Sequence, residues 1–187
     1  MPAFSQEDQN SIENIRESES DYVAVARETV ETYVKERRQI DIPEWLPYKL
    51  SNFSAGTFVS IKKAGELRGC IGTIQPMQRN VVEEIIHNAI HAATRDPRFE
   101  PIGKDELADL VYSVDILREP QKIASIQELN VKKYGVIVSR DCRKGLLLPD
   151  LEGVDTPAEQ VAIALRKAGI SQYEDYEMQR FEVVRYH

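Results

Sequence analysis

Residues 57–72, "TFVSIKKAGELRGCIG", constrain the fold more than any other stretch of the chain. Two β-prone runs flank a short turn containing Gly65, the signature of a hairpin. The same pattern returns downstream, where "YGVIVS" and "GLLLP" flank "RDCRK" (140–144). A helix is expected after each hairpin. After the first, Asn80 and Glu83 form a capping-box signature ahead of an apolar stripe of Val82, Ile85, Ile86, Ala89, Ile90 and Ala93. After the second, Thr156-Pro157-Ala158-Glu159 supplies a capping hydroxyl, a first-turn proline and a glutamate, and Gly169 ends the helix. A doubly wound parallel sheet needs a long crossover between successive strands, and hairpins supply none. The expected class is therefore α+β: a largely antiparallel sheet with helices packed on it, and room for a smaller second lobe. The shared hairpin–helix order hints at an internal duplication too faint in sequence to claim.

The remaining segments fit this plan. From Asp21, Tyr22, Ala26, Val30 and Tyr33 recur at helical spacing, with Ser18 and Asp21 as a start signal and Lys35, Arg37 and Arg38 in the last turn. Pro43 and Pro47 mark a loop whose Trp45 and Tyr48 are expected to pack back on the body. "DLVYSVDIL" (109–117) and "MQRFEVVRY" (178–186) read as strands. Residues 1–18 carry no sustained period and are expected to be a flexible N-terminal tail, leaving 19–187 as the domain.

Composition narrows the function classes. With 24 basic against 31 acidic residues the net charge is -7, which disfavours a phosphate-backbone partner. No apolar run approaches the roughly 20 residues of a membrane helix, and the polar, acidic start is unlike a signal peptide. The two cysteines, Cys70 and Cys142, form neither a disulfide framework nor a zinc set. A reducing cytoplasm is the expected compartment.

Strand alternation places Arg68, Cys70, Gly72 and Ile74 on one face, and Leu67, Gly69, Ile71 and Thr73 on the other. A guanidinium beside a thiol would lower its pKa, and Gly69 and Gly72 would admit close approach by a ligand, a partner or a helix. The alternative is structural: Cys70 as a small buried hydrophobe, and Arg68 paired with an acid such as Asp96. A nucleophilic Cys70 also lacks an evident general base. Asp96 and Arg98 in "RDPRF" could return to the hairpin, where arginine would recognise a carboxylate or phosphate. Equally, they could lock a turn while Phe99 plugs the core. His87 and His91 lie four apart, but "EEIIH" is not the HExxH arrangement, so they read as surface residues and no metal site is expected. Cys142 is expected to be exposed in its turn, and Asp150, Glu152 and Asp155 lack calcium-loop spacing.

Four ordered blocks carry a family resemblance: "GTFVSIKKAGELRGCIGTIQP" (56–76), "NAIHAATRDPRFEP" (88–101), "GLLLPDLEGV" (145–154) and "KAGI" (167–170). With "LRGCIG" as hallmark, the chain resembles the AMMECR-one family over roughly residues 20–187. The resemblance implies an α+β fold and a cytoplasmic, stand-alone bacterial or archaeal form. It also implies work beside Memo-like and radical-SAM proteins. The chain itself has no CxxxCxxC motif, and no cofactor is called for. Because no activity is established in the family, whether the chain is an enzyme stays open. The expectation is a ligand- or partner-binding module built on Arg68, Gly69, Cys70, Gly72, Asp96 and Arg98, taking a small anionic ligand. The alternative is an enzyme in which Cys70, activated by Arg68, acts on a small acidic substrate.

Overall fold

Hairpins and helices assemble into two units in the computed structural model, which describes Ile12 and residues 14–187. One unit runs to Ile116 and regains Arg185–His187; the other is Leu117–Val184.

In the first unit, α1 (Asp21–Glu36) precedes the hairpin of β1 (Thr57–Lys63) and β2 (Glu66–Gly72). Ala64 and Gly65 turn the hairpin with φ of 51° and 80°, the left-handed pair that a two-residue turn requires. Then come α2 (Val81–Thr94) and β3 (Leu110–Leu117), and β8 (Val183–Tyr186) completes a sheet of order β2-β1-β3-β8. β1 pairs antiparallel with both β2 and β3. Val59, Ile61, Leu110, Tyr112 and Val114 share a core with Val82, Ile85, Ile86 and Ala89 of α2 and Val23, Ala26 and Val30 of α1. Burial of each large side chain contributes about 1.5–3 kcal/mol. Asn80 caps α2 as expected, its Oδ1 accepting from the Val82 and Glu83 amides at 3.0 Å.

In the second unit, β4 (Gln121–Ile123), β5 (Gly135–Arg140), β6 (Arg143–Leu147), α3 (Pro157–Ala168) and β7 (Glu177–Phe181) form a sheet of order β4-β7-β5-β6. Val136, Val138 and Leu147 pack with Val161, Ala164 and Leu165 of α3. Thr156 and Glu159 make the expected capping box, and Gly169 closes α3 with φ of 65°.

Topology supplies the duplication that the sequence only hinted at. In both units a hairpin, a helix and a third strand give the order second–first–third: β2-β1-β3 and β6-β5-β7. Each second strand also carries a glycine under its helix. A Cβ on Gly69 would overlap the Ala92 carbonyl, and one on Gly145 the Ala164 carbonyl.

Several expectations need correction. Ser20, not Ser18, is the N-cap of α1. Trp45 and Tyr48 do not pack back: they are 50% and 80% exposed. The final strand is two strands in two sheets, since the chain changes sheet at Glu182. Of the segment expected as a tail, Ile12 and 14–17 are helical, and Arg16 Nη2 donates to the Leu107 carbonyl at 2.8 Å. The rest of that expectation lies outside the described residues. Among the described residues no helix is long and apolar enough to cross a membrane.

Candidate functional site around Cys70

The β1–β2 register decides what the "LRGCIG" strand presents. Ser60 pairs with Cys70 and Ile61 with Gly69, but Lys62 pairs with Leu67, so Arg68 is the extra residue of a bulge. Alternation therefore holds from Gly69 to Gly72 and fails at Arg68. Gly69 turns towards α2, whose backbone fills its space, while the Phe58 ring covers Gly72. Both glycines serve close approach, and at both the visitor is the protein's own chain.

Cys70 lies on the sheet face away from the helices, in one row with Ser60 and Ser113. The Ser60 hydroxyl donates to Sγ at 3.2 Å. The thiol is half-buried, and burial pushes its pKa up. The Ser60 hydrogen bond and the Arg98 charge oppose that shift but do not cancel it.

Asp96, just past the end of α2, is the hub of the site. Its Oδ2 accepts from the Cys70 amide at 2.9 Å and from Arg98 Nη2 at 2.6 Å, while Oδ1 accepts from Arg98 Nε at 2.9 Å. The hydrogen bond from Arg98 leads the effects that hold this carboxyl down at about 2. Only 2% of the Asp96 side chain is exposed, against 54% of Arg98. Arg98 also sits over the Phe99 ring, 5.4 Å from its centroid, so the half-buried Phe99 supports the guanidinium and does not plug the core. Cys70, Asp96 and Arg98 are thus brought together, and the Asp96–Arg98 pair also locks its own turn, so features of both alternatives are present.

Arg68 goes elsewhere. Its Nε and Nη2 bind the two carboxylate oxygens of Glu106 at 3.0 and 2.9 Å, and Nη1 donates to the Glu100 carbonyl at 2.8 Å. Lys63 joins at 3.3 Å, and the Arg68 pair chiefly holds Glu106 at about 2. Activation of Cys70 by Arg68 is therefore not what the geometry offers; the bulge turns Arg68 aside, and the cation acting on the thiol is Arg98. Arg68 is a strut between β2 and the segment after α2, and its acidic partner is Glu106, not Asp96. The readable signal was Gly103 followed three positions later by Glu106, a cap whose carboxylate accepts the Gly103 amide at 3.1 Å.

A second ion pair on this face escaped the sequence reading. Asp115, in the row of Phe58 and Gly72, is 4% exposed and binds Arg185 at 2.8 and 3.0 Å. Its signal was a lone carboxylate inside the apolar strand "LVYSVDIL". The face thus offers a thiol, the serines Ser60 and Ser113, and two carboxylates already committed to arginines.

His87 and His91 stack edge-on at 4.1 Å and are half-buried, not fully solvent-facing. His87 lines a cavity of about 360 Å³ with Asp41, Gln78 and Glu83. Burial leads the effects that push His91 down. Among the described residues no group of three or more His, Cys, Asp or Glu could hold a metal ion. Cys142 is exposed, as expected.

Comparison with known proteins places this geometry among relatives. The AMMECR1 family matches residues 23–187. A Thermotoga maritima protein is 51% identical over 170 residues, covering 90% of this chain and 98% of that one. Protein CA_C1420 of Clostridium acetobutylicum is 49% identical over 175 residues, covering 93% of this chain; the chain spans only 37% of that relative's length. The crystal structure of an uncharacterised protein, PH0010 from Pyrococcus horikoshii, superimposes with a TM-score of 0.81 at 31% identity, covering 88% of each chain.

Proposed function

This chain belongs to the AMMECR1 family, and from that premise we propose that it is a binding module whose contact surface is the Cys70 face, with Arg98 as the anion-recognising group. One observation carries the reading: both oxygens of buried Asp96 are committed to the Cys70 amide and the Arg98 guanidinium. The carboxylate fixes the guanidinium against the strand while half of that side chain faces solvent. A guanidinium so oriented suits a planar carboxylate or a phosphate, and pre-organisation lowers the entropy lost on binding. The hydroxyls of Ser60 and Ser113 extend the polar row beside it. Gly69, Gly72 and Arg68 shape this surface from behind without touching the ligand.

Catalysis through a Cys70 thiolate has less support, because burial raises the thiol and both nearby carboxylates are tied to arginines. A cytoplasmic setting suits the two free cysteines. The module acts beside Memo-like and radical-SAM proteins. That companion role suits a domain that also occurs within the much longer Clostridium relative, where the rest of the chain is held at high effective concentration.

The test is Arg98→Ala against a panel of small carboxylates and phosphates, and against purified Memo-like and radical-SAM proteins. Capture should weaken about tenfold or more, the loss of one charge-assisted contact, in a variant that stays folded but melts at a lower temperature because buried Asp96 loses its guanidinium. Unchanged capture of every binder by the folded variant overturns the reading, as does failure of the wild-type chain to bind any of them.

A further inference from the structure

A separate recess in the second unit has chemistry that the Cys70 face does not use. Its cavity of about 250 Å³ is lined by Arg118, Glu119, Gln121, Tyr134, Arg180 and Glu182, among others. Arg180 sits on β7 opposite Val136, whose side chain belongs to the core under α3. An arginine at such a position must be held by specific partners. Its Nη1 donates to the Glu128 carbonyl at 2.9 Å, and its guanidinium carbon lies 4.5 Å from the Tyr134 ring centroid. Its Nε is buried and has no hydrogen-bond partner. A buried donor without an acceptor carries a desolvation cost that native structures commonly relieve with a bound water or ion.

Two further cations gather at this place. Lys133 Nζ lies 4.9 Å from the same Tyr134 ring and 3.3 Å from Glu182. Arg118 Nε lies 3.9 Å from Glu182, beyond hydrogen-bonding distance, with its side chain 66% exposed. One partly exposed carboxylate thus serves two cations and holds Arg118 only loosely, while the Arg180 guanidinium borders the same cavity with its Nε buried behind it. We infer that this recess binds a small free oxyanion, a carboxylate or phosphate, which lies against the Arg180 guanidinium and takes over the charge of Arg118 from Glu182. Glu119 and Glu182 set the selectivity: a bulky polyanion would meet both acids, whereas a compact anion meets one guanidinium in the wall and displaces one carboxylate. The net charge of -7 gives the chain no general attraction for anions, so saturable uptake reports this local geometry.

Titration of the full chain with inorganic phosphate, and separately with succinate, tests the inference, read by calorimetry and by the Arg180 Nε–H and Tyr134 NMR signals. Saturable binding with shifts at both residues is expected, and whichever probe binds tighter identifies the oxyanion class. Arg118→Ala and Arg180→Lys should each weaken binding about fivefold or more, and Glu182→Gln should tighten it several-fold by removing the competing carboxylate. Arg98→Ala should leave this binding unchanged, which separates it from the Cys70 face. Absence of saturation by roughly 10 mM of either probe overturns the inference. So does binding indifferent to Arg118→Ala and Glu182→Gln, which would mean an adventitious ion only. Those two exposed positions decide the matter even if Arg180→Lys fails to fold.

Discussion

Cys70 owes its character to the cation that the backbone sets beside it. Alternation nominated Arg68, but one bulged residue sends that side chain to Glu106 and leaves Arg98 to act on the thiol. Burial nevertheless dominates, so the neutral thiol prevails at pH 7. In a Cys142→Ser background, Cys70 should therefore react with iodoacetamide more slowly than free cysteine at pH 7. The rate should climb above pH 9 as thiolate forms. A reaction faster than that of the model thiol at pH 7 would revive the nucleophile. Pairing of residue types was legible here to a useful degree: the Asp96–Arg98 pair and the close approach at Gly69 and Gly72 were readable from the residues. The bulge was not, because it is a property of two strands in register and leaves no mark on one of them. Asp115 and Arg185 were missed for a related reason: 70 residues separate them along the chain, and only the sheet makes them neighbours.

At the scale of elements, two carboxylates fasten the segment after α2 to β2, Asp96 through the Cys70 amide and Glu106 through Arg68. Both are held at about 2, against ordinary values of 3.8 and 4.5. Between those limits the unfolded chain binds more protons than the folded one, so acid favours unfolding. The stabilisation is complete above about pH 4.5 and is lost as pH falls towards 2. It amounts to on the order of 1–2 kcal/mol per group, with Asp96 at the lower end because solvent screens Arg98. Urea midpoints should therefore fall steeply from pH 4.5 to 2.5. In Asp96→Asn plus Glu106→Gln the starting stability should be lower and the slope shallower. An unchanged slope would show that other groups govern acid unfolding. Helices were the most legible elements, since Asn80, Thr156 and Gly169 act through local hydrogen bonds that sequence spacing encodes. The short strand β4 was not, because three residues are too few to show a period.

For the whole molecule, the repeated strand order implies that each unit closes its own core, and the chain path makes the two units unequal. The second is a continuous stretch, Leu117–Val184, with four strands packed on α3. The first is completed only when the chain returns: Arg185 binds Asp115, and the His187 carbonyl accepts the Ser20 amide at 2.8 Å. Excised Leu117–Val184 should consequently fold by itself, although at this size a single core leaves a margin of only about 3–5 kcal/mol. A chain ending at Val184 should keep the second unit intact while the first loses about 2–3 kcal/mol, the cost of leaving buried Asp115 without its arginine. Urea titration of the excised unit should give one cooperative transition with a slope near 1 kcal/mol/M. Hydrogen exchange in the truncated chain should show faster opening in β1 and β3 but not in β5 and β7. A fragment without a cooperative transition, or equal loss of protection in both sheets, would mean that the strand order repeats without independent stability. The duplication would then describe topology alone.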